Sequence, residues 1–485
     1  MAFVPYNPST NTSANLVSAI FTPSVGATLV NGSIAVVYVV PPGDPSSLAY
    51  YDGGTPGLGI GAGLFLTTGD PTPASSNTTT GVFGNDLNPA SAPDLLQAIT
   101  TAYDGFSSGP DPDTGVGGVF DVTWLQFQVN VTDPSVHGLA LDLLFGSEEV
   151  HAGSNGQFPD IAGVFVDGVN YALYGGDAMQ PLAVTNRNAG KFIDNSGSVV
   201  PIEFNGLTPK LHMTAPVHLG INTIKIAIAD TGESGFDSGL FVSGVHAVAY
   251  DAFGQGIIPV AALTGTDKVL DGAGSTLYQG NSLGNSLELV SGFDIVDGGA
   301  GLDQVTFEYS PAAIDFSTTK WNGTTLEIHS GANAAQLTNV ERVHFAGNYL
   351  YALDTGVTGT TYEVYALLQA ALNMAPTQAM LSQWVAVADA QFASGHDLGD
   401  VGQAIINYFA PAATKEQIIT VLYQNVIGVT PSGDSVASLS AQVGEGHTFE
   451  TLGDLYATAA LLSYNTDEIA GVVGSIQQLD PSFFP

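Results

Sequence analysis

The chain has 485 residues and a one-sided charge: 45 Asp and Glu stand against eight Lys and Arg, which gives a formal net charge of −37. Charged residues nevertheless make up only 11% of the chain, against a usual share of about 25%, so the imbalance comes from missing bases. Nucleic acid is excluded as a partner, because clustered Lys and Arg are needed to neutralise phosphates. Carboxylates without basic partners favour a divalent cation, and oxygen ligands suit Ca²⁺.

The sequence contains no cysteine, which excludes disulfides, thiolate nucleophiles and Cys-ligated zinc. Residues 1–16 include neither a basic nor a long apolar segment, so no secretory signal peptide is expected there. The longest apolar stretch of the N-terminal region, Ile34–Val40, is too short to span a bilayer. Export is therefore expected to use an uncleaved C-terminal signal, and Leu479–Pro485 provide an apolar cluster after an acidic residue.

The predicted elements divide the chain into three domains, mainly β with a C-terminal α domain. Residues 1–250 predict a β-sandwich, because short β-branched segments such as Ser33–Val40 and Thr123–Val131 are bounded by Gly, Pro, Asn and Asp. Residues 251–355 are glycine-rich and then return to strands, which indicates a β-roll-like calcium-binding region. Residues 356–485 carry Ala, Leu and Gln at helical spacing and predict a helical bundle.

Several carboxylates of the predicted sandwich are candidate ligands of a cation, namely Glu148, Glu149, Asp160 and Asp237. Carboxylates at strand ends are suitable ligands for Ca²⁺. The adjacent Glu148 and Glu149 are equally compatible with an acid/base couple, because mutual repulsion raises the pKa of one member. A solvated strand end with a structural hydrogen bond is the third interpretation.

Residues 15–245 resemble the choice-of-anchor L domain of secreted bacterial proteins. The resemblance rests on Gly59–Gly69 (GIGAGLFLTTG), Leu144–Glu149 (LFGSEE), Phe158–Gly168 (FPDIAGVFVDG), Phe192–Asn195, Ile226–Asp230 and Asp237–Phe241. Members usually show FASEEY and then FND, where this chain has Gly146, Val150 and Pro159. The resemblance implies a domain joined to varied surface anchors, with no established enzymatic activity.

A calcium-loop signature lies near the middle of the chain. Asp297–Val305 (DGGAGLDQV) fit the nonapeptide GGxGxDxUx of calcium-binding parallel β-rolls, and Thr266–Gly274 form a weaker copy upstream. The glycines permit a tight turn that exposes carbonyl oxygens, and the Asp supplies a carboxylate. The alternative is a glycine-rich turn without metal. The candidate ligands of this region are Asp271, Gly272, Gly274, Asp294, Asp297, Gly299, Gly301 and Asp303.

Residues 265–355 resemble the tail of a repeats-in-toxin (RTX) protein exported by a type I system. Leu337–Phe345 (LTNVERVHF) are similar to the LTNVERLxF strand that closes such modules. The resemblance implies calcium binding, secretion in an unfolded state and folding outside the cell.

An internal repeat follows the RTX-like region. Leu367–Pro376 share a Leu-x-Gln-x6-Pro pattern with Leu422–Pro431, 55 residues later (422 − 367), which predicts two helices that each end in a Pro-containing turn. Tyr362–Ile469 resemble an uncharacterised helical domain that often follows RTX modules in secreted alphaproteobacterial proteins.

The function expected from these features is that of an extracellular, calcium-stabilised structural protein that self-assembles at the cell surface as a filament, layer or biofilm matrix. Its partners would be other copies of the chain and the type I secretion machinery. The N-terminal segment Ala2–Leu16 is expected to be extended and able to join a neighbour's sheet edge.

Two alternatives remain open for the function. The first is a monomeric adhesin that presents acidic loops around residues 148–160 and 230–237 to a cell-surface glycan. The second is a secreted hydrolase. No catalytic constellation supports an enzyme, since the GxSxG of Gly280–Gly284 lies among turn residues instead of between a strand and a helix.

Overall fold

The computed structural model describes residues 2–40, 43–54, 58–77, 93–102, 118–150, 159–231, 236–249, 256–264, 268–271, 274–315, 317–331 and 333–484. The chain forms two compact units. The first comprises Met1–Val260 with Ser275–Leu277, and the second comprises Ala261–Gly274 with Tyr278–Pro485. Among the described residues, no helix combines the length and the apolar character that crossing a membrane requires.

In the described residues, the first unit is a β-sandwich with two helices, α1 (Ser13–Ile20) and α2 (Pro93–Ala102), and one 3₁₀ turn, Ala189–Lys191. Its strands are β1 (Phe3–Pro5), β2 (Ala27–Leu29), β3 (Ala35–Val37), β4 (Leu48–Tyr51), β5 (Gly63–Thr67), β6 (Val119–Val131), β7 (Gly138–Ser147), β8 (Ile161–Val166), β9 (Val169–Asn170), β10 (Ile193–Asp194), β11 (Gly206–Leu207), β12 (Leu211–Pro216), β13 (Gly220–Thr231), β14 (Ser238–Val248) and β15 (Gly256–Ala262).

The strands of this unit lie in two sheets. One sheet has the order β1-β4-β5-β14-β7-β12-β15, with β11 also on β7 and β10 on β11; the other has the order β2-β6-β13-β8-β9, with β3 also on β6. The sequence alternation in β6 explains the packing, because successive side chains of a strand face opposite sides. Leu125, Phe127 and Val129 are buried in the core, whereas the intervening side chains are partly exposed. The predicted sandwich is confirmed.

The N-terminal segment folds onto its own unit. Phe3 pairs with Tyr51, so β1 is an edge strand of the sandwich. Helix α1 then begins after Thr12 with a capping box and buries Leu16 and Val17. The expectation that Ala2–Leu16 are extended was therefore wrong beyond Thr12, because the cap and the apolar face favour a helix over a free strand.

The second unit begins with strands, which are β16 (Lys268–Leu270), β17 (Leu277–Asn281), β18 (Ser286–Leu289), β19 (Phe293–Gly299), β20 (Gln304–Phe307), β21 (Lys320–Trp321), β22 (Thr325–Ser330), β23 (Asn333–Thr338), β24 (Arg342–Phe345) and β25 (Tyr349–Ala352). Strands β16, β18, β20 and β24 run parallel in one sheet. Strands β17, β19 and β23 follow one another in a second sheet, where β19 and β23 are parallel. This arrangement is a β-roll, as predicted.

The roll repeats with the period of its sequence. Ser286 pairs with Gln304, so this turn of the roll spans 18 residues (304 − 286), or two nonapeptides. Apolar side chains stack in register along the interior. The buried ladders are Leu287, Val305 and Val343, and then Leu289, Phe307 and Phe345.

The chain ends in a helical region that comprises α3 (Thr360–Leu372), α4 (Gln378–Ala393), α5 (Leu398–Phe409), α6 (Lys415–Ile427), α7 (Gly433–Ser440), α8 (Leu452–Ala460) and α9 (Ser463–Thr466). Strand β26 (Gln477–Leu479) then pairs with β25. Helices α3 and α6 each have 13 residues and end in left-handed caps at Asn373 and Gly428, 55 positions apart (428 − 373). The helical prediction therefore agrees with the structure, and the two helices end at corresponding positions of the sequence repeat. The remaining 3₁₀ turns are Pro311–Ala313, Ala470–Val472 and Pro481–Phe483.

Candidate cation-binding sites

The signature Asp297–Val305 forms a turn of the roll between β19 and β20. Gly299 and Gly301 adopt positive φ angles of 89° and 118°. A Cβ atom on Gly299 would lie 2.4 Å from the carbonyl oxygen of Asn281, and one on Gly301 would lie 2.7 Å from the nitrogen of Gly284. The adjacent turn therefore approaches so closely that only glycine fits at these two positions.

Asp303 lies at the end of this turn and is only 2% exposed. Its Oδ1 accepts a hydrogen bond from the backbone N–H of Asn285 at 2.7 Å, and its own N–H donates to Oε2 of Glu341 at 2.7 Å. Asn285, Asp303 and Glu341 each directly precede a parallel strand of the roll, so they form a polar ladder in which the later side chain caps the earlier turn. Oδ2 of Asp303 accepts no hydrogen bond from the described residues.

The environment of the ladder favours neutral carboxyls or a bound cation. Burial raises the pKa of Asp303 to about 6 and that of Glu341 to about 7. The charge of Asp297 adds to the effect on Asp303, and Oδ1 of Asp297 accepts a hydrogen bond from Asn339 at 2.8 Å. Carboxylate and carbonyl oxygens in a tight turn suit Ca²⁺. Asp303 would supply a carboxylate with a free oxygen, whereas Asp303, Glu341 and Asp297 are not arranged, as they stand in the described residues, to hold a metal ion as a group of three.

The remaining candidates of the roll have different surroundings. The carboxylate of Asp271 accepts hydrogen bonds from the hydroxyl of Tyr278 at 2.5 Å and from the backbone of Val290 and Ser291 at 3.2 and 3.4 Å. Asp271 is thus held by the turn that follows it. Asp294 is buried within β19, where its charge adds to burial in raising the pKa of Tyr309.

Two glycines complete the set of roll candidates. Gly274 has a φ of 113°, and a Cβ atom at this position would have no neighbour within 4 Å. Gly272 lies outside the described residues.

Sequence reasoning missed Glu341, although its signal was present. The residue is part of LTNVERVHF, which was recognised as a closing strand and not as a source of ligands. The position directly before a parallel strand is polar in three turns, as Asn285, Asp303 and Glu341. Alignment of the turns by that position would have identified it.

The sandwich brings a second set of carboxylates together at strand ends. Glu148 follows β7, Asp160 precedes β8 and Asp237 precedes β14, and all three are at most 2% exposed. Oδ2 of Asp160 accepts hydrogen bonds from the hydroxyls of Ser147 at 3.1 Å and Ser238 at 2.5 Å. Asp160 therefore connects one sheet to two strands of the other.

Glu149 is 3% exposed and also belongs to this end of the sandwich. Its backbone N–H donates to the hydroxyl of Ser147 at 3.0 Å. The charge of Glu203 adds to burial in raising the pKa of Glu148 to about 8. The sequence left open that Glu148 and Glu149 lie at a solvated strand end. That interpretation is wrong, because both residues are buried.

Three further acidic residues in this region were not among the predicted ligands: Asp121, Glu203 and Asp230, all at most 2% exposed. A register shift between Ile228 and Asp230 interrupts the pairing of β13 with β6, and Asp121 adopts a φ of 46° on the opposite strand. For Asp121 and Asp230 the signal was an acidic residue inside an otherwise apolar strand, which is rarely buried without a partner; Glu203 lies outside the strands.

The sandwich cluster has a strongly negative environment. Burial and neighbouring carboxylates raise the pKa of Asp230 and of Asp237 well above the ordinary value. No three of the described His, Asp and Glu side chains are arranged as they stand to hold a metal ion. The arrangement can therefore bind protons, or a cation that uses fewer carboxylates and other oxygens.

Comparison with known protein families identifies one domain of the chain. Residues 5–246 match the family model described as the choice-of-anchor L domain, over about half of the chain. No curated protein and no solved structure matches the chain significantly.

Proposed function

Because residues 5–246 of this chain are a choice-of-anchor L domain, which implies an extracellular or surface-anchored protein, we propose that it is a calcium-stabilised structural protein that assembles with copies of itself at the cell surface. In this proposal the sandwich is the structural body. The roll supplies metal-dependent folding, and type I export with folding outside the cell accounts for the RTX-like sequence. The protein has no enzymatic role.

The ladder at Asp303 carries the calcium part of the proposal. Asp303 is buried, its Oδ2 has no hydrogen-bond donor among the described residues, and Glu341 and Asp297 lie close enough for their charges to interact with it. A bound Ca²⁺ would neutralise these carboxylates and fix the turn. Because the unfolded chain has no preformed site, the free energy of Ca²⁺ binding would contribute directly to the free energy of folding.

Charge and sheet edges support the self-assembly part. A net charge of −37 opposes association between copies, so a divalent cation would promote it. Two strands, β1 and β16, stand at the ends of their sheets in the described part of the chain, with Val4 59% exposed and Leu270 66% exposed. An edge strand with an exposed apolar side chain is suited to pairing with another chain.

Electron microscopy and light scattering of the purified full chain, in Ca²⁺ and in excess chelator, test this proposal. We expect ordered assemblies in Ca²⁺ that dissociate in chelator. The variant Asp303→Asn should need at least tenfold more Ca²⁺ to assemble, whereas Asp434→Asn, at an exposed helical position, should behave as the wild type. Assemblies that persist unchanged in chelator would contradict the role of the metal.

The same measurement decides between assembly and adhesion. A chain that stays monomeric in Ca²⁺ and binds a cell-surface glycan on an array would favour the adhesin. Hydrolytic activity that disappears in Glu148→Gln would instead favour an enzyme, since a buried carboxyl with a raised pKa is the usual form of a general acid.

A further inference from the structure

We propose that Asp230 and Asp237 bind a divalent cation, Ca²⁺, within the sandwich and independently of the roll. The two residues lie at ends of strands in different sheets, Asp230 near the end of β13 and Asp237 directly before β14, and the charge of Asp237 acts on Asp230. Both are at most 2% exposed. The site is part of the first unit, whereas the ladder at Asp303 belongs to the second.

The carboxylate of Asp230 is buried and poorly supplied with hydrogen-bond donors. Asp230 is 0% exposed, and neither of its carboxylate oxygens accepts a hydrogen bond of ordinary geometry from the described residues, although the hydroxyl of Thr68 lies near enough to oppose the rise of its pKa. Oδ2 of Asp237 and Oε1 of Glu148 are also buried, and they too accept no hydrogen bond from the described residues. Three residues thus present four oxygens (two, one and one) without a hydrogen bond of ordinary geometry, although buried polar atoms are normally hydrogen-bonded.

Asp230 and Asp237 are surrounded by other carboxylates. Asp160, Asp237 and Asp121 all act on it, and Asp121, Asp160 and Glu148 act on Asp237. No Lys, Arg or His of the described residues has a comparable effect on either group. Buried like charges cannot all be ionised unless a counter-charge joins them.

The ligand chemistry points to Ca²⁺. All available ligands are oxygens, which hard cations prefer, and Ca²⁺ accepts about six to eight of them in flexible geometry. The carboxylates of Asp230 and Asp237 provide the charge, because no three of the described His, Asp and Glu side chains are arranged as they stand to hold a metal ion. The hydroxyl of Thr68, 3.4 Å from Oδ1 of Asp237, and water are the neutral oxygens within reach.

Hydrogen–deuterium exchange of the full chain, titrated with CaCl₂ or held in chelator, tests the site locally. Peptides that cover β6 and β13 report on the sandwich, and those that cover β18 and β20 report on the roll. We expect Ca²⁺ to slow exchange of the sandwich peptides at least tenfold in the wild type and in Asp303→Asn. In Asp230→Asn the slowing of these peptides should be lost, while the roll peptides still respond.

The exchange rates measured in chelator show whether the variants are folded. Without Ca²⁺, Asp230→Asn should exchange no faster than the wild type, because the amide removes a repulsive charge; if it does not fold, Asp237→Asn serves as the second variant. Equal slowing by Ca²⁺ in the wild type and in both variants would overturn the proposal. Sandwich exchange that never responds to Ca²⁺ would also overturn it and would indicate that protons neutralise the cluster. If Ca²⁺ slowed exchange in the sandwich peptides but not in the roll peptides, the result would count only against calcium binding at Asp303.

Discussion

The guanidinium of Arg342, in roll strand β24, donates two hydrogen bonds to the carboxylate of Asp389 in helix α4, at 2.8 and 3.0 Å. A third bond from the same group reaches Asp354 at 2.6 Å. Arg342 is 1% exposed, and its backbone N–H donates to the carbonyl oxygen of Asp303 at 3.1 Å. The buried ion pair therefore begins at the polar ladder of the roll and ends in the helices.

Arg342→Met should strongly destabilise the second unit. The substitution leaves Asp354 and Asp389 buried without their counter-charge, and breaking a buried pair in this way costs about 3–5 kcal/mol. Urea unfolding followed by far-UV circular dichroism measures the loss of helix. Arg187→Met removes an exposed guanidinium and should leave the midpoint unchanged. An unaltered midpoint in Arg342→Met would show that the pair contributes nothing.

Gly453→Ala should weaken the packing of helices α5 and α8. A Cβ atom at position 453 would lie 2.1 Å from the carbonyl oxygen of Gly399, so the helices must separate, at a cost of about 1–3 kcal/mol. Gly433→Ala is the matched control, because its Cβ would have no neighbour within 4 Å. Thermal unfolding should show a lower transition temperature for the first variant alone. Equal transition temperatures would mean that the close approach is not rigid.

The sequence predicted the classes of the elements better than the ligands. Strand alternation in Thr123–Val131 and the nonapeptide at Asp297–Val305 each indicate a local geometry, and the structure follows both. Asp121 and Asp230 were missed because their meeting depends on how β6 and β13 pair, with a shifted register between Ile228 and Asp230. Pairing between distant segments leaves no periodic pattern in either of them.

The N-terminal segment forms a helix where an extended chain was expected, and the sequence contains the signals for that helix. Thr12 and Asn15 form a capping box, which is visible in the sequence once a helix is considered. The prevalence of strand-like segments in residues 1–250 concealed it. Helix α2 escaped for the same reason, although Pro93 at its first position is a usual helix start.

Metal-free protein should lose stability as pH rises. The folded-state pKa values of Asp303 and Glu341, about 6 and about 7, lie above their ordinary values of 3.8 and 4.5. Their protonated forms therefore stabilise the fold below about pH 4, and this contribution is lost as pH rises through 6 and 7. Urea midpoints measured in chelator across this range should fall, whereas saturating Ca²⁺, which binds the ionised carboxylates, should remove the decrease.

Glu341→Gln should abolish the upper part of that pH dependence, and the exposed Glu308→Gln should not. The test distinguishes a buried titrating carboxyl from a general effect of net charge. Urea midpoints that increase with pH in chelator would have the opposite sign and would refute the assignment.

Counting bound Ca²⁺ by native mass spectrometry of the full chain tests the calcium claim most directly. We expect the wild type to retain Ca²⁺, Asp303→Asn to retain at least one ion fewer, and the exposed Asp315→Asn to retain the wild-type number. A wild-type chain that retains no Ca²⁺ at millimolar concentration, or an Asp303→Asn chain with the full number, would contradict the calcium claim.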